Sequence, residues 1–365
     1  MTARPLPAIL LTLVLACTHS ESFPTGGYNV GPASAGPDVQ LTFSGNQNYW
    51  PVLTEDGSGV LYAFIDPAAS RIPSHRCIGL LPVAGGTRFW QWCDNRADQR
   101  DSSSSFGAFA LGSDGRLLYV ESVVPAGFPF QAPQAALWLA DSAAPFRRRA
   151  LVTLPVVVAD STISWFADLE WTGPNTFIGL GQQFVLAPHG VSSAVDSVFR
   201  AEVLVRGTID DQGAALAAVP GTAGATGYSI AEDGASIIVT QIDNTNLLKV
   251  PAAGGAPQIV GPATPRAGVQ LLGVSCRGTT CITAVGPARL SPVSGSTLIV
   301  GSGPFELRSI SLVTGAATTV LSRSDVLSSP QLLPSGDVIA QTGAGYGRLQ
   351  TFSSSFQTLH LYKNK

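Results

Sequence analysis

Apolar positions in this chain fall into pairs of short runs divided by a tight turn. The first pair is Trp50 to Asp66, "WPVLTEDGSGVLYAFID". The shape recurs as "FGAFALGSDGRLLYVE", "WFADLEWTGPNTFIGL", "GYSIAEDGASIIVTQ", "LLGVSCRGTTCITAVG" and "SPQLLPSGDVIAQT". Its turn glycines are Gly57, Gly115, Gly173, Gly234, Gly278 and Gly336, separated by 58, 58, 61, 44 and 58 residues. Val, Ile, Leu, Tyr and Phe favour strands. Asp-Gly between two apolar runs signals a hairpin, and glycine allows the positive φ such turns need. Each copy therefore predicts a β-hairpin. The runs are nearly continuous in apolar residues, so both faces of the strands are expected in the core.

A second hairpin lies between successive copies. "CIGLLPVAGGTRFWQWC", "LLKVPAAGGAPQIV" and "LRSISLVTGAATTVL" each read as strand, small-residue turn, strand. "ALWLADSAAPFRRRALVTL" and "AEVLVRGTIDDQGAALAAV" fit more loosely. Each repeat thus holds four antiparallel strands, the signature of a propeller blade. One blade cannot bury both its faces, whereas a closed ring can. Six copies predict an all-β, six-bladed β-propeller over residues 38–365. Val39–Phe43 and Thr358–Tyr362 both read as outer strands, so the two ends of the chain are expected to meet in one blade.

Composition adds an address. The chain is 45% apolar and only 12% charged, with a net charge of −3. No basic face is visible, which argues against nucleic acid as a partner. The densest basic spot, Arg147 to Arg149, reads as a solvated edge strand. Residues 1–16 carry one positive charge at Arg4 and then an apolar stretch, Leu6 to Ala16. That stretch is too short to span a bilayer but suits a signal-peptide core. "VLAC" resembles a bacterial lipobox, which implies that Cys17 becomes the lipid-bearing first residue. Acylation at that residue gives stable membrane anchoring. Thr18 rather than Asp after the cysteine implies outer-membrane sorting. Residues 17–37 are rich in Gly, Pro, Ser and Ala and read as a flexible tether.

The turn motifs "TEDGSGVLYAF", "GSDGRLLYV" and "AEDGASIIV" resemble the repeat of TolB-type six-bladed propellers, while "TGPN", "RGTT" and "PSGD" depart from it. The resemblance implies a scaffold in envelope complexes. It covers about residues 38–365 and specifies fold rather than chemistry.

Setting Cys17 aside leaves four cysteines. Cys77 and Cys93 are symmetric about Gly85, in the "AGG" turn. Cys276 and Cys281 flank "RGTT" symmetrically. Each pair should face across antiparallel strands, within disulfide reach. Disulfides suit an oxidising envelope compartment. No further ligand at metal spacing accompanies them.

No nucleophile elbow, zinc-protease helix, P-loop or dinucleotide fingerprint is present. His19 lies on the tether and His360 on the last strand. The turns inside hairpins are short and share one rim. The connections on the other rim are longer, and long loops on a rigid scaffold gather binding groups. The candidates on that rim are Asn48, Tyr49, Trp50, Arg71, His75, Arg100, Asp101, Phe130, Trp165, His189 and Arg266. Asp168 and Glu170, two apart on a strand, share a face and can both reach the channel. A hydrolytic pair ordinarily comes from separate elements, so they are not taken as catalytic. "DQRDSSSS" lacks the oxygen spacing of an EF-hand loop. The expected function is a lipid-anchored, non-catalytic envelope module binding a protein or glycan through the long-loop rim. No cofactor is expected. The alternative is an envelope hydrolase, lyase or lactonase at the channel mouth. In that case a channel-bound Ca²⁺ is the one metal to test for.

Overall fold

The computed structural model describes residues 38–41, 48–65, 76–84, 90–93, 103–124, 134–142, 144–188, 195–232, 234–241, 246–262, 269–290, 297–299, 304–324, 326–343 and 357–363. All regular structure among them is β. Strand β1 (Asp38–Gln40) comes first. Blade I is β2 (Asn48–Leu53), β3 (Gly59–Ile65), β4 (Arg76–Pro82) and β5 (Trp90–Cys93). Blade II is β6 (Ser103–Leu111), β7 (Arg116–Val124), β8 (Gln134–Asp141) and β9 (Ala144–Leu154). A small hairpin follows, β10 (Val156–Val158) and β11 (Ser161–Ile163). Blade III is β12 (Trp165–Gly173), β13 (Thr176–Pro188), β14 (Val195–Ile209) and β15 (Ala214–Ala218). Blade IV is β16 (Ala225–Ile230), β17 (Ser236–Gln241), β18 (Asn246–Pro251) and β19 (Gln258–Pro262). Blade V is β20 (Val269–Arg277), β21 (Thr280–Leu290) with the short β22 (Thr297–Ile299) added to it, β23 (Phe305–Ser311) and β24 (Ala317–Arg323). Blade VI is β25 (Val326–Leu332), β26 (Val338–Gly343), β27 (Gln357–Tyr362) and, as its outermost strand, β1.

The molecule is a six-bladed β-propeller of four-stranded antiparallel blades. Its ring is closed by the chain's own two ends: Asp38 pairs with Tyr362 and Gln40 with His360.

The continuous apolar runs have the expected cause. Six hydrophobic clusters occur, one between each pair of neighbouring blades. Alternate residues of β3 serve two of them. Val60, Tyr62 and Phe64 face blade VI, while Leu61 and Ala63 face blade II. The β10–β11 hairpin has no counterpart in the repeat. It places Val158 and Ile163 in the cluster between blades II and III.

Five of the six turn glycines have positive φ: Gly57, Gly115, Gly234, Gly278 and Gly336. In blades I, II, IV and VI the amide of that glycine donates to the carbonyl three residues earlier, as in Gly57 to Thr54 at 2.8 Å. Gly173 differs. It ends β12 and pairs with Thr176, so Pro174 and Asn175 make the turn instead. Asp56 shows how the turn holds itself. Thr54 Oγ1 donates to its carboxylate at 2.6 Å and the Ser58 amide at 3.0 Å. The Thr54 hydrogen bond, followed by those from Ser58, pulls the Asp56 pKa down to about 2.

Two long connections expected as loops are hairpin arms. β13 and β14 pair from Thr176–Thr208 out to Pro188–Val195, with one register shift between Gly181 and Gln182. β21 runs on to Leu290 and pairs with β22.

Glycine also marks close packing across a strand pair. Gly207 lies opposite Phe177. A Cβ on Gly207 would sit 2.0 Å from Phe177 Cε1. Overpacking of this kind costs about 1–3 kcal/mol. Gly207→Ala is therefore expected to lower the melting temperature, and Phe177→Leu in the same chain to restore part of it. Equal melting temperatures for Gly207→Ala and wild type would show that the ring shifts at no cost.

Candidate functional site

The inner strands β2, β6, β12, β16, β20 and β25 line the channel. Each has one edge paired within its blade and the other turned to the axis. Alternate N–H and C=O groups on that second edge have no ladder partner. Each inner strand also carries a register shift at a similar level, Tyr49/Val52, Gly107/Phe109, Phe166/Asp168, Ala225/Gly227, Leu271/Val274 and Ser328/Gln331, and β12 has a second at Trp171/Gly173. Such bulges bend a strand and re-aim the residues beside them.

Beyond the bulges, each strand presents one residue at the same level, two before its turn. These residues are Val52, Ala110, Glu170, Ser229, Ser275 and Gln331. Each pairs with an aliphatic residue of the second strand: Leu61, Leu118, Ile178, Ile238, Ile282 and Ile339. The ring is apolar on blades I and II and polar on blades III to VI.

Three of the four polar members fasten blade to blade. Ser229 Oγ accepts the Cys276 amide at 2.9 Å, and Ser275 Oγ accepts the Leu332 amide at 2.9 Å. Glu170 makes the equivalent link from blade III to blade IV, accepting the Ile230 amide. Arg277 Nε donates to the Leu332 carbonyl at 2.9 Å, so blade V grips both backbone groups of that residue. Trp171 Nε1 donates to the Ala110 carbonyl at 3.3 Å. Each bond satisfies an inner-edge group that the sheets leave open.

These residues surround a cavity of about 1000 Å³ on the ring axis, lined by inner strands and first turns of all six blades. It opens on the short-turn rim, among Glu55, Ser113, Pro174, Glu232, Gly278 and Pro334. The mouth is braced from blade to blade. The Ser113 amide donates to Glu55 at 3.0 Å. Arg116 donates to Asn175 Oδ1 and the Pro174 carbonyl, and its guanidinium lies 5.0 Å over the Trp171 ring.

Asp168 and Glu170 occupy the wall. Both keep some surface on the channel but are otherwise enclosed by protein. Burial raises the Asp168 pKa to about 7, against the Leu169 amide that donates to its carboxylate at 2.9 Å. Burial, then the charge of Asp168, raises Glu170 to about 8, opposed by the Ile230 amide and Arg277. Tyr228, beside them, is held far above its ordinary value by burial and by both carboxylates. Its hydroxyl donates to the Ile178 carbonyl at 2.9 Å.

Ca²⁺ takes six to eight oxygens at high negative charge, and the described wall offers the two carboxyls of Asp168 and Glu170. The two carboxyls favour protons near neutral pH, Glu170 is engaged by an amide, and Arg277 adds positive charge beside it. Among the described residues no three metal-ligating side chains come together.

Of the rim residues singled out in the sequence, four are described, and none of the four lines this cavity. Asn48, Tyr49 and Trp50 begin β2, at the far end of that strand from the cavity. Trp165 is 6% exposed and packs between blades II and III. Arg71, His75, Arg100, Asp101, Phe130, His189, Arg266 and Cys17 lie outside the described residues. Cys276 and Cys281 form a disulfide across the blade V hairpin. Cys77 is disulfide-bonded, and its register partner is Cys93.

No protein-family model matches the chain. No curated protein matches it by sequence. Solved propellers do match in structure. A gluconolactonase from Xanthomonas campestris aligns with TM-score 0.49 and 11% identity over 89% of this chain and 89% of that one. An oligogalacturonate lyase from Vibrio parahaemolyticus aligns at 0.48 and 12% over 89% and 94%. TolB from Acinetobacter baumannii aligns at 0.43 and 12% over 85% and 65%. The likeness is one of fold. Propellers host unrelated functions, so the site must carry the functional argument.

Proposed function

We propose that this protein is a lipid-anchored cell-envelope propeller acting as a binding module, with its ligand seated in the channel mouth on the short-turn rim. The observation that supports this reading is the axial cavity. Its walls come from all six blades, and Ser229, Ser275 and Arg277 are fixed in it by bonds between blades rather than carried on loops. Ligand sites are concave, largely preformed and furnished with a few convergent polar groups. The expected leader, Cys17 and tether supply the anchor. The rim differs from that expected from loop length, because the convergent polar groups stand at the end of the channel where the hairpin turns lie.

Full-length tagged protein, cross-linked in native membranes and recovered, is expected to carry a stoichiometric ligand or partner. Arg277→Ala, with folding checked by its melting temperature, is expected to lose it. Equal recovery by both proteins, or none by wild type, overturns the reading.

One observation favours a second reading, an envelope hydrolase or lyase. Two carboxyls that hold protons near neutral pH are suited to general acid–base work. Product release from a carbohydrate panel, abolished in Asp168→Asn, is the result that would promote it.

A further inference from the structure

The polar side of the cavity has more hydrogen-bonding capacity than the protein uses. Ser229 and Ser275 are each 9% exposed and each accepts one amide. No described residue takes either hydroxyl proton. A hydroxyl is both donor and acceptor. The Gln331 side-chain amide, on the same ring, makes no hydrogen bond to any described residue. Arg277 spends Nε on Leu332, which leaves its Nη1 and Nη2 for other acceptors. Its Nη2 lies 3.5 Å from the point where a Cβ on Gly57 would stand, so the guanidinium reaches toward blade I across the mouth. Asp168 accepts from the Leu169 amide at one oxygen, Oδ1. Unused donors and acceptors thus line one cavity together.

We propose that this cavity is a carbohydrate-binding site, in which Asp168 and Glu170 accept from neighbouring sugar hydroxyls while Arg277, Ser229, Ser275 and Gln331 donate to sugar oxygens. The proposal rests on the reading of the protein as a binding module and names the ligand class of that same site. A sugar ring has polar edges and apolar C–H faces. The ring of side chains has the same division, with Val52 and Ala110 on blades I and II across from Ser229 and Ser275 on blades IV and V, and the half-buried Trp171 beside Glu170.

A cationic ligand suits the site less well, although acids outnumber bases around it. Glu55 is engaged by the Ser113 amide, and Asp114 is paired with Arg116 at 2.6 Å. Glu232 stands at the mouth. The deep pair is held toward its neutral form by burial, with the arginine of blade V beside it. A polyol meets that state directly, because a carboxyl and a carboxylate both hydrogen-bond to hydroxyls without transferring net charge. An anion would face both acids. The volume of about 1000 Å³ is at the upper end of small-molecule sites, roughly 300–1000 Å³, and leaves room for more than one sugar residue.

The test is isothermal titration of the full-length protein in detergent. The probes are neutral hexose and N-acetylhexosamine oligosaccharides, with spermidine and a lysine-rich peptide as cationic probes. Saturable binding of at least one oligosaccharide is expected, weakened about tenfold or more in Asp168→Ala and in Gln331→Leu. Gln331→Leu keeps the experiment decisive, since that amide bonds to nothing described and its loss should leave the melting temperature unchanged. Silence toward every oligosaccharide, tighter binding of spermidine or the peptide, or binding indifferent to both substitutions would overturn the proposal. If the oligosaccharides are silent while the cross-linked membrane partner is still lost in Arg277→Ala, the binding module stands and its carbohydrate ligand falls. If both are silent, both fall.

Discussion

Arg148→Met is expected to lower the unfolding free energy by about 3–5 kcal/mol, the usual consequence of removing one member of a buried ion pair. Glu121, on the second strand of blade II, has a side chain only 3% exposed, and Arg148 on the fourth strand is 18% exposed. The guanidinium reaches Glu121 at 2.5 Å and the Tyr119 hydroxyl at 3.1 Å, while lying 4.1 Å over the Trp138 ring. Methionine keeps much of the stacking volume over Trp138. It also takes the cation away from a carboxylate that has almost no contact with water. Adding Glu121→Gln to Arg148→Met should recover more than half of the loss. Equilibrium urea unfolding of the two single variants and the double variant gives the coupling directly. Strict additivity would mean that the pair is held apart in solution.

The second large effect is on pH dependence. Wild-type stability should fall as pH rises from about 5 to about 9. Asp168 and Glu170 are raised in the folded state, from 3.8 to about 7 and from 4.5 to about 8. The folded protein therefore binds more protons than the unfolded chain between these limits. Stability contributed by the neutral carboxyls is complete below about pH 4 and is lost as pH climbs through 7 and 8. Each tenfold gain in proton affinity on folding corresponds to about 1.4 kcal/mol, and access of solvent from the channel reduces the total to the order of 3 kcal/mol for the pair. Asp168→Asn/Glu170→Gln should flatten this slope and be the more stable protein at about pH 8.5. Glutamine at 170 can still accept the Ile230 amide. A wild-type slope unchanged in the double variant would place the relevant protons elsewhere.

Much of the fold is legible in the sequence for a local reason. A hairpin is written in its turn, and six glycine-bearing hairpin turns spaced 44 to 61 residues apart give six blades. Symmetry about those turns also sets register, which is why Cys276 meets Cys281 and Cys77 stands opposite Cys93. The arm at 182–200 and strand β22 are less legible. "APHG" and "SPVSG" read as loop punctuation even though the flanking segments pair.

The site is hidden for a different reason. Its residues come one from each repeat, about 56 positions apart, so no short motif contains two of them from different blades. A signal does exist. With the six repeats aligned on Thr54, Gly112, Thr172, Ala231, Arg277 and Leu333, the position two before reads Val, Ala, Glu, Ser, Ser, Gln. Four polar residues in strands otherwise built for burial mark the inward ring. Loop length points to the opposite rim because it reports where variation is tolerated, whereas this cavity is built from strand ends.

The way the ring closes also decides from which rim the tether leaves. Asp38 is level with Tyr362, at the end of blade VI where the hairpin turns lie, and β1 runs from there toward the opposite rim. Whatever precedes Asp38 therefore joins the disc on the side where the axial opening lies. Under the proposed acylation at Cys17, the tether would thus leave the disc on the rim that carries the axial opening, not on the long-loop rim.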